Sequence, residues 1–208
     1  MNPYSGTPTS HKRFLVAILT ALILTLALPA AAGVGTASTP ATPATPAGAT
    51  TDDGAHDFDW ELGTWRTDVR VLADPLSETD DEWLRFRGRS VVRPLMDGRA
   101  NVVELDVSGD AGRIEALNLR LYEPQDDAWT STFVNIRDGL LTPSVRGGFH
   151  RGVGEFYGQD QLGGRPIEVR FLVYRQGPDR ARFEQAYSDD GGATWETNWI
   201  AIDRRVRH

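Results

Sequence analysis

The sequence predicts an all-β protein: an antiparallel up-and-down barrel of about ten strands, preceded by an export signal and a disordered linker. Three observations lead there. Apolar and polar residues alternate with period two in short blocks from Trp65 onward, turn residues separate the blocks, and no amphipathic helical run lies between them. Ten strands on short hairpins suit a barrel, which closes on itself and leaves no exposed edge; a two-sheet sandwich is the alternative.

The 208 residues divide into three unlike pieces. Lys12 and Arg13 form a basic n-region ahead of an uncharged stretch from Phe14 to Ala32, which ends in Ala30-Ala31-Ala32 just after Pro29. Residues 1–32 therefore read as a secretory signal peptide, cleaved after a small-x-small site. An uncleaved anchor is the alternative, since the stretch is just long enough to span a bilayer. Arg13 is a single arginine, so nothing points to twin-arginine export. Residues 33–55 are nearly all Thr, Ala, Pro, Gly and Ser, with TPATPATPA over 39–47, the composition of a disordered linker. The barrel domain occupies 56–208, and its expected location is exported, periplasmic or extracellular.

Composition narrows the function classes. The chain has no cysteine, which removes disulfides, Cys-ligated zinc, iron–sulfur centres and thiol nucleophiles. Loss of Lys12 and Arg13 with the signal takes the net charge from −7 to −9 and leaves no lysine. An acidic, lysine-free domain is a poor binder of nucleic acid or anionic membranes, and Schiff-base, P-loop and Ser-Lys chemistry are excluded. Membrane contact is expected only through the signal segment, if it stays uncleaved.

Along the domain, His56 to Gly63 reads as a short turn or helix with Asp57 or Asp59 as its cap. Trp65 to Val71 is the first strand. Trp83 to Pro94 follows the polar loop 73–82 and leads into an Asp97-Gly98 hairpin turn. Asn101 to Val107 pairs with Arg113 to Tyr122 around Gly109 to Gly112. Then come Trp129 to Arg137, Val145 to His150, Val153 to Gln161, Pro166 to Gln176, Ala181 to Tyr187 and Thr194 to Arg204. With Arg151-Gly152 as the turn, His150 lies opposite Val153, Gly148 opposite Glu155 and Arg146 opposite Tyr157.

Three constellations carry structural or chemical meaning. Gly63-x-Trp65 opens strand one and Arg204-Arg205 ends the last, which resembles the arrangement of lipocalin-like barrels; that resemblance implies a basic residue of the last strand, taken as Arg204, capping the indole by cation–π contact. Ser188, Asp190, Gly192, Thr194 and Trp195 match S-x-D-x-G-x-T-W, the Asp-box of β-propellers. A propeller needs several copies, so this single one reads as a stiff hairpin. The glycine-rich stretch from Arg146 to Gly158 marks either a coiled barrel corner or a functional rim. It holds His150, the one histidine inside the folded core sequence, which with Glu155 is the catalytic acid–base candidate. Nothing beside His150 supports a haem or metal ligand set, so no metal and no cofactor are expected.

HDFDWELGTWR at the start, RGGFHRGVGEFYGQD followed by GRPIEVRF in the middle, and FEQAYSDDGGATWETNWIAIDRR at the end resemble an uncharacterised family of bacterial lipocalin-like (calycin-like) domains of unknown function. The likeness spans 56–205 and rests on Gly63, Trp65, Gly148, Phe149, Gly154, Tyr157, Gly164, Pro166, Ser188, Asp190, Gly192, Trp195 and Trp199. It implies a lipocalin-like barrel and no particular activity. The favoured expectation is a barrel binding a small apolar or amphipathic ligand, with Arg87, Phe149, Tyr157, Arg170 and Tyr174 as binding residues. The alternatives are a small barrel-mouth enzyme using His150 and Glu155, or a ligand-free structural envelope domain. The chain has no G-x-S-x-G, no H-E-x-x-H and no phosphate loop.

Overall fold

Turn chemistry sets the strand order. Arg151 and Gly152 both take positive φ, 53° and 83°, as do Gly163 and Gly164, 59° and 83°. These are two-residue hairpins whose twist matches the flanking strands. The computed structural model describes residues 53–77 and 82–207. The expected signal peptide, residues 1–32, and residues 33–52 of the expected linker lie outside the described residues.

Eleven strands follow among the described residues: β1 (Gly63–Leu72), β2 (Trp83–Leu95), β3 (Ala100–Gly109), β4 (Gly112–Glu123), β5 (Ala128–Asn135), β6 (Leu140–Leu141), β7 (Val145–His150), β8 (Val153–Leu162), β9 (Arg165–Arg175), β10 (Arg180–Ser188) and β11 (Glu196–Arg205). Ten of them form a ring. Sequential strands pair antiparallel, β5 pairs with β7 across the intervening segment, and β11 pairs back onto β1. The two-residue β6 only adds to β5. The domain is thus a closed antiparallel up-and-down barrel, as the alternation predicts.

The ten expected blocks recur with small shifts. β5 stops at Asn135 because the Asn135 carbonyl accepts from Gly139 N at 3.0 Å and its side chain from Arg137 N at 3.0 Å, turning the chain toward β6. β11 starts at Glu196 instead of Thr194 because Ser188 to Trp195 closes as a turn. The β7–β8 register places His150 opposite Val153, Gly148 opposite Glu155 and Arg146 opposite Tyr157, as the Arg151-Gly152 turn predicts. Glycines in these strands mark corners where backbones press together. A Cβ on Gly147 would lie 1.8 Å from the Glu155 carbonyl oxygen, and one on Gly88 would lie 2.1 Å from that of Asp106.

The chain ahead of β1 plugs one end. Two 3-10 turns, Gly54–His56 and Asp59–Glu61, carry no side-chain cap; the Asp59 carboxylate instead meets His56 Nδ1 at 2.8 Å. Phe58 is buried against Trp129, Phe149 and Phe156 in edge and stacked contacts of 5.0–5.9 Å. The Trp129 indole donates to the Gly54 carbonyl at 2.8 Å.

Trp65 is fully buried at this end and donates to the Glu61 carbonyl at 2.7 Å. The cation over its ring is Arg205, 4.0 Å from the centroid, and not Arg204. Side chains alternate along β11, and Arg205 is the residue in register with Trp65, so the two share a face. Arg204 points outward and pairs with Asp68 at 2.5 Å. Arg205 also donates to the carbonyls of Leu62 (2.6 Å) and Trp60 (2.5 Å). Gly63 makes that reach feasible: its φ is 123°, and a Cβ there would sit 2.9 Å from an Arg205 nitrogen.

Arg205→Ala is expected to destabilise the domain by about 2–4 kcal/mol in urea unfolding, from the lost cation–π contact and the carbonyls left unpaired. Arg204→Ala, removing an exposed pair, is expected to cost no more than about 1 kcal/mol. Equal costs for the two would refute this assignment.

Candidate functional site

Inward positions at the plugged end are large and close-packed, whereas those further along the strands are spaced around a void. The result is a cavity of about 880 Å³ inside the barrel. Its walls are apolar, drawn from Phe86, Leu105, Ile114, Phe133, Phe171, Phe183, Trp199 and Ala201. Its open end is bordered by residues 73–77 after β1, 111–113 at the start of β4, Arg137, Thr142 and Pro143 near β6, and residues 161–163 and Arg165 where β8 turns into β9. Trp199 meets Phe133 edge-on at 6.2 Å across the lumen.

The floor is polar. One inward layer above Trp65, Thr67 donates to Asp203 Oδ1 at 2.5 Å, its direct neighbour in the β1–β11 register. Ser90 from β2 donates to the same oxygen at 3.3 Å and lies 2.8 Å from the Thr67 hydroxyl. Beside them Arg120 of β4, only 6% exposed, holds Glu61 with both terminal nitrogens, at 2.5 and 3.4 Å, and approaches Asn101 at 3.5 Å. The Arg120 guanidinium also stacks on the Phe58 ring, 4.2 Å from its centroid. Every charged group here is therefore engaged, as buried charges require.

Asp203 differs from an ordinary carboxylate. It lines the cavity while being largely buried, and this burial pushes its pKa up to about 6. Hydrogen bonds from Thr67 and Ser90 and the charge of Arg120 oppose the shift, while Glu61 adds to it. Higher on the wall, the Gln185 amide donates to Asn198 at 2.9 Å, and the Asn198 Nδ2 is buried without a partner.

None of the five binding residues expected from sequence lines this cavity. Arg87 is exposed on the outer face and pairs with Asp68 at 3.2 Å. Arg170 lies outside, over Trp195 at 4.6 Å, and Tyr157 meets the same indole at 6.0 Å. Tyr174 is opposite Val153 and Arg182 on that outer face. The reason is strand phase: Val169, Phe171 and Val173 take the inward positions of β9, so Arg170 and Tyr174 fall between them. Phe149 does point inward, but it packs against Phe58 and Phe156 beneath the floor. The polar groups of the cavity floor, Glu61, Thr67, Ser90, Arg120 and Asp203, were missed. For the four that lie on strands the signal in the sequence is a polar residue in the apolar phase, as in Trp65-x-Thr67-x-Val69 and Trp199-x-Ala201-x-Asp203; Glu61, in the plug turn, carries no such signal.

His150 and Glu155 share the outer face beside a shallow groove of about 420 Å³. No carboxylate lies within 4.0 Å of the His150 ring nitrogens among the described residues, and Glu155 accepts instead from the Tyr157 hydroxyl at 3.3 Å. The acid–base pair is therefore not assembled. No cluster of three or more potential metal ligands occurs among the described residues.

The Asp-box segment is a turn built from its own side chains. Asp190 accepts from the Thr194 hydroxyl at 2.6 Å, the Thr194 amide at 2.9 Å and the Ser188 hydroxyl at 2.7 Å, and Ser188 accepts from Gly192 N at 2.9 Å. These bonds, the Thr194 hydroxyl first, hold the Asp190 carboxyl well below the usual carboxylate range. Trp195 is half-buried over Arg170 on the outer wall and Trp199 lines the cavity, so these two tryptophans serve opposite faces.

No family model and no curated protein matches the sequence. Among solved structures, the chain is similar to an S-type phycobiliprotein lyase, CPES, from Guillardia theta, at 10% identity and a TM-score of 0.48, covering 73% of this chain and 91% of the lyase. It is also similar to EF1p2_mFAP2b bound to DFHBI, at 10% identity and a TM-score of 0.41, covering 74% and 99% of the two chains. A de novo designed fluorescence-activating β barrel gives 14% identity and a TM-score of 0.39 over 74% and 98%.

The Asp203 carboxyl makes stability depend on pH. Unfolded, it titrates near 3.8; folded, near 6. The folded state keeps its proton where the unfolded chain has lost it, so this group's contribution falls as pH rises from about 4 to about 6, by on the order of 3 kcal/mol. Asp203→Asn, which keeps an acceptor for Thr67, is expected to remove that fall and to be more stable than the parent at pH 7.5. Urea unfolding at pH 4.5, 6 and 7.5 measures it; identical profiles for the two proteins would contradict the buried carboxyl.

Proposed function

We propose that this protein is an exported small-molecule-binding barrel whose ligand, apolar or amphipathic, enters the open end and lies in the central cavity. The observation that carries the reading is the cavity itself. Ten strands leave about 880 Å³ unfilled, a volume within the range of small-molecule sites and far above the voids of a packed core. Apolar walls supply nonspecific burial, and a few convergent polar groups at the floor supply orientation. A barrel serving only as structure would gain by filling this space, since each apolar side chain placed there would bury surface against its neighbours.

The export part of the proposal is supported by the basic, apolar and small-residue run of residues 1–32 and by the linker behind it. Kinship with the bacterial lipocalin-like family is likewise a proposal, supported by the three motif blocks in order. On this reading the Thr/Pro/Ala linker is a spacer released with the mature barrel or, with an uncleaved anchor, one that holds it off the membrane.

The neutral, environment-sensitive probe N-phenyl-1-naphthylamine is expected to bind the purified chain saturably, one molecule per barrel, with enhanced fluorescence. Leu105→Trp, which fills the lumen from β3, is expected to weaken that binding at least tenfold while the protein stays folded. Native mass spectrometry of protein from its own host is expected to show a co-purifying small molecule. Bare protein together with no saturable probe binding would overturn the reading. For export, N-terminal sequencing of the same material is expected to begin at Gly33; an intact Met1 in the membrane fraction would assign an anchor.

A further inference from the structure

The floor of the cavity discriminates between ligand head groups, an inference that rests on the binding reading above. Its charged side chains are Glu61, Arg120 and Asp203, two acids and one base. The base is already occupied. Both terminal nitrogens of Arg120 are held by Glu61 and its face lies on the Phe58 ring, so an anion could reach it only by displacing a buried carboxylate. That anion would also face Asp203 across the same floor. At the floor a carboxylate, sulfate or phosphate head is therefore disfavoured twice, by the absence of a free cation there among the described residues and by like-charge repulsion; the arginines Arg113, Arg137 and Arg165 border the open end instead.

Asp203 is the group with capacity left. Thr67 and Ser90 both donate to Oδ1. Oδ2 has no hydrogen-bond partner among the described residues, and it is not one of the sealed-in unpartnered atoms, so it opens onto the cavity that Asp203 lines. A carboxylate oxygen in a low-dielectric site, with its partner oxygen fixed by two hydroxyls, is a preorganised acceptor for a charged N–H donor. We propose that the ligand is an amphipathic amine whose ammonium group bonds Oδ2 of Asp203 while its apolar body lies against Leu105, Phe171, Phe183 and Trp199.

The same geometry makes binding sensitive to acid. The groups facing Asp203 are Thr67 from β1, Ser90 from β2, Arg120 from β4, Glu61 from the plug segment and Ala181, its register neighbour on β10. Of these only Glu61 and Arg120 are charged, and they are paired with each other. With Asp203 titrating near 6, the free site is a carboxylate at pH 7.5 and mostly protonated at pH 5. Affinity for a permanently charged amine then falls about tenfold over that range, in proportion to the ionised fraction.

The test uses the purified chain and three probes with one apolar body and different heads: decylamine, decanol and decanoate, each titrated by calorimetry and by displacement of N-phenyl-1-naphthylamine. At pH 7.5 the amine is expected to bind at least tenfold more tightly than the alcohol, and the carboxylate more weakly than both. Asp203→Asn is expected to reduce amine affinity at least tenfold and to weaken decanol and the neutral probe far less, so that the amine's advantage over the alcohol is lost. On the unaltered protein, a shift to pH 5 is expected to weaken the amine about tenfold and decanol little. Equal or tighter binding of decanoate, or an amine affinity untouched by Asp203→Asn and by pH, overturns the head-group assignment while the binding reading survives. If neither the neutral probe nor decanol enters the cavity, the binding reading fails and this inference with it.

Discussion

The rest of the structure depends on a guanidinium lying over an indole. Arg205 caps Trp65 at 4.0 Å and ties the carbonyls of Trp60 and Leu62 to the end of the last strand. In one contact it joins the first strand, the last strand and the plug ahead of them. The barrel is closed by hydrogen bonds all round, but hydrogen bonds alone would leave a tube open at both ends. With Trp65 sealed beneath Arg205 and Phe58 packed among Trp129, Phe149 and Phe156, the tube becomes a cup with one mouth. Gly63 belongs to the same device, because a side chain there would collide with Arg205 and resist its backbone angle.

A closed base also decides what polar groups inside the cup cost. Arg120, Glu61 and Asp203 all line the cavity and are largely buried, so each must be matched within the protein. The first two are matched by one another. Asp203 is half matched, by two hydroxyls on one oxygen, and its raised pKa expresses the remainder. Burying a carboxyl this way works against stability near neutral pH. Such a feature fits a floor that recognises something better than a floor that merely fills space.

Much of the architecture was legible before any coordinates, and the reason is local. Period-two alternation and left-handed turn residues act over a few neighbours, so the ten strands and the Arg151-Gly152 register could be read directly, as could the stiff turn around Asp190. The site was not legible in the same way. Arg170 and Tyr174 were expected inside and lie outside, though the Val169, Phe171, Val173 phase of their own strand carried the contrary signal. Arg204 was assigned the cap that belongs to its neighbour, an error of one residue that in a strand means the opposite face. His150 and Glu155 come to one face without touching, because adjacency along a hairpin brings backbones together and not side-chain tips.

By itself the sequence determined the fold class, the strand order and the β7–β8 register, because these follow from alternation and turn propensity over short stretches. It also determined what chemistry is unavailable to a domain with neither cysteine nor lysine. Only the tertiary structure decided that side chains leave the lumen unfilled, that its floor is polar, and that Asp203 and not an outer arginine lines the cavity. Those outcomes depend on residues from β1, β2, β4, β11 and the plug meeting at one level of a closed ring. Glu61 and Arg120 are separated by 59 positions, and Thr67 and Asp203 by 136. Pairings so distant are set by the closure of the ring, which no short stretch of sequence encodes.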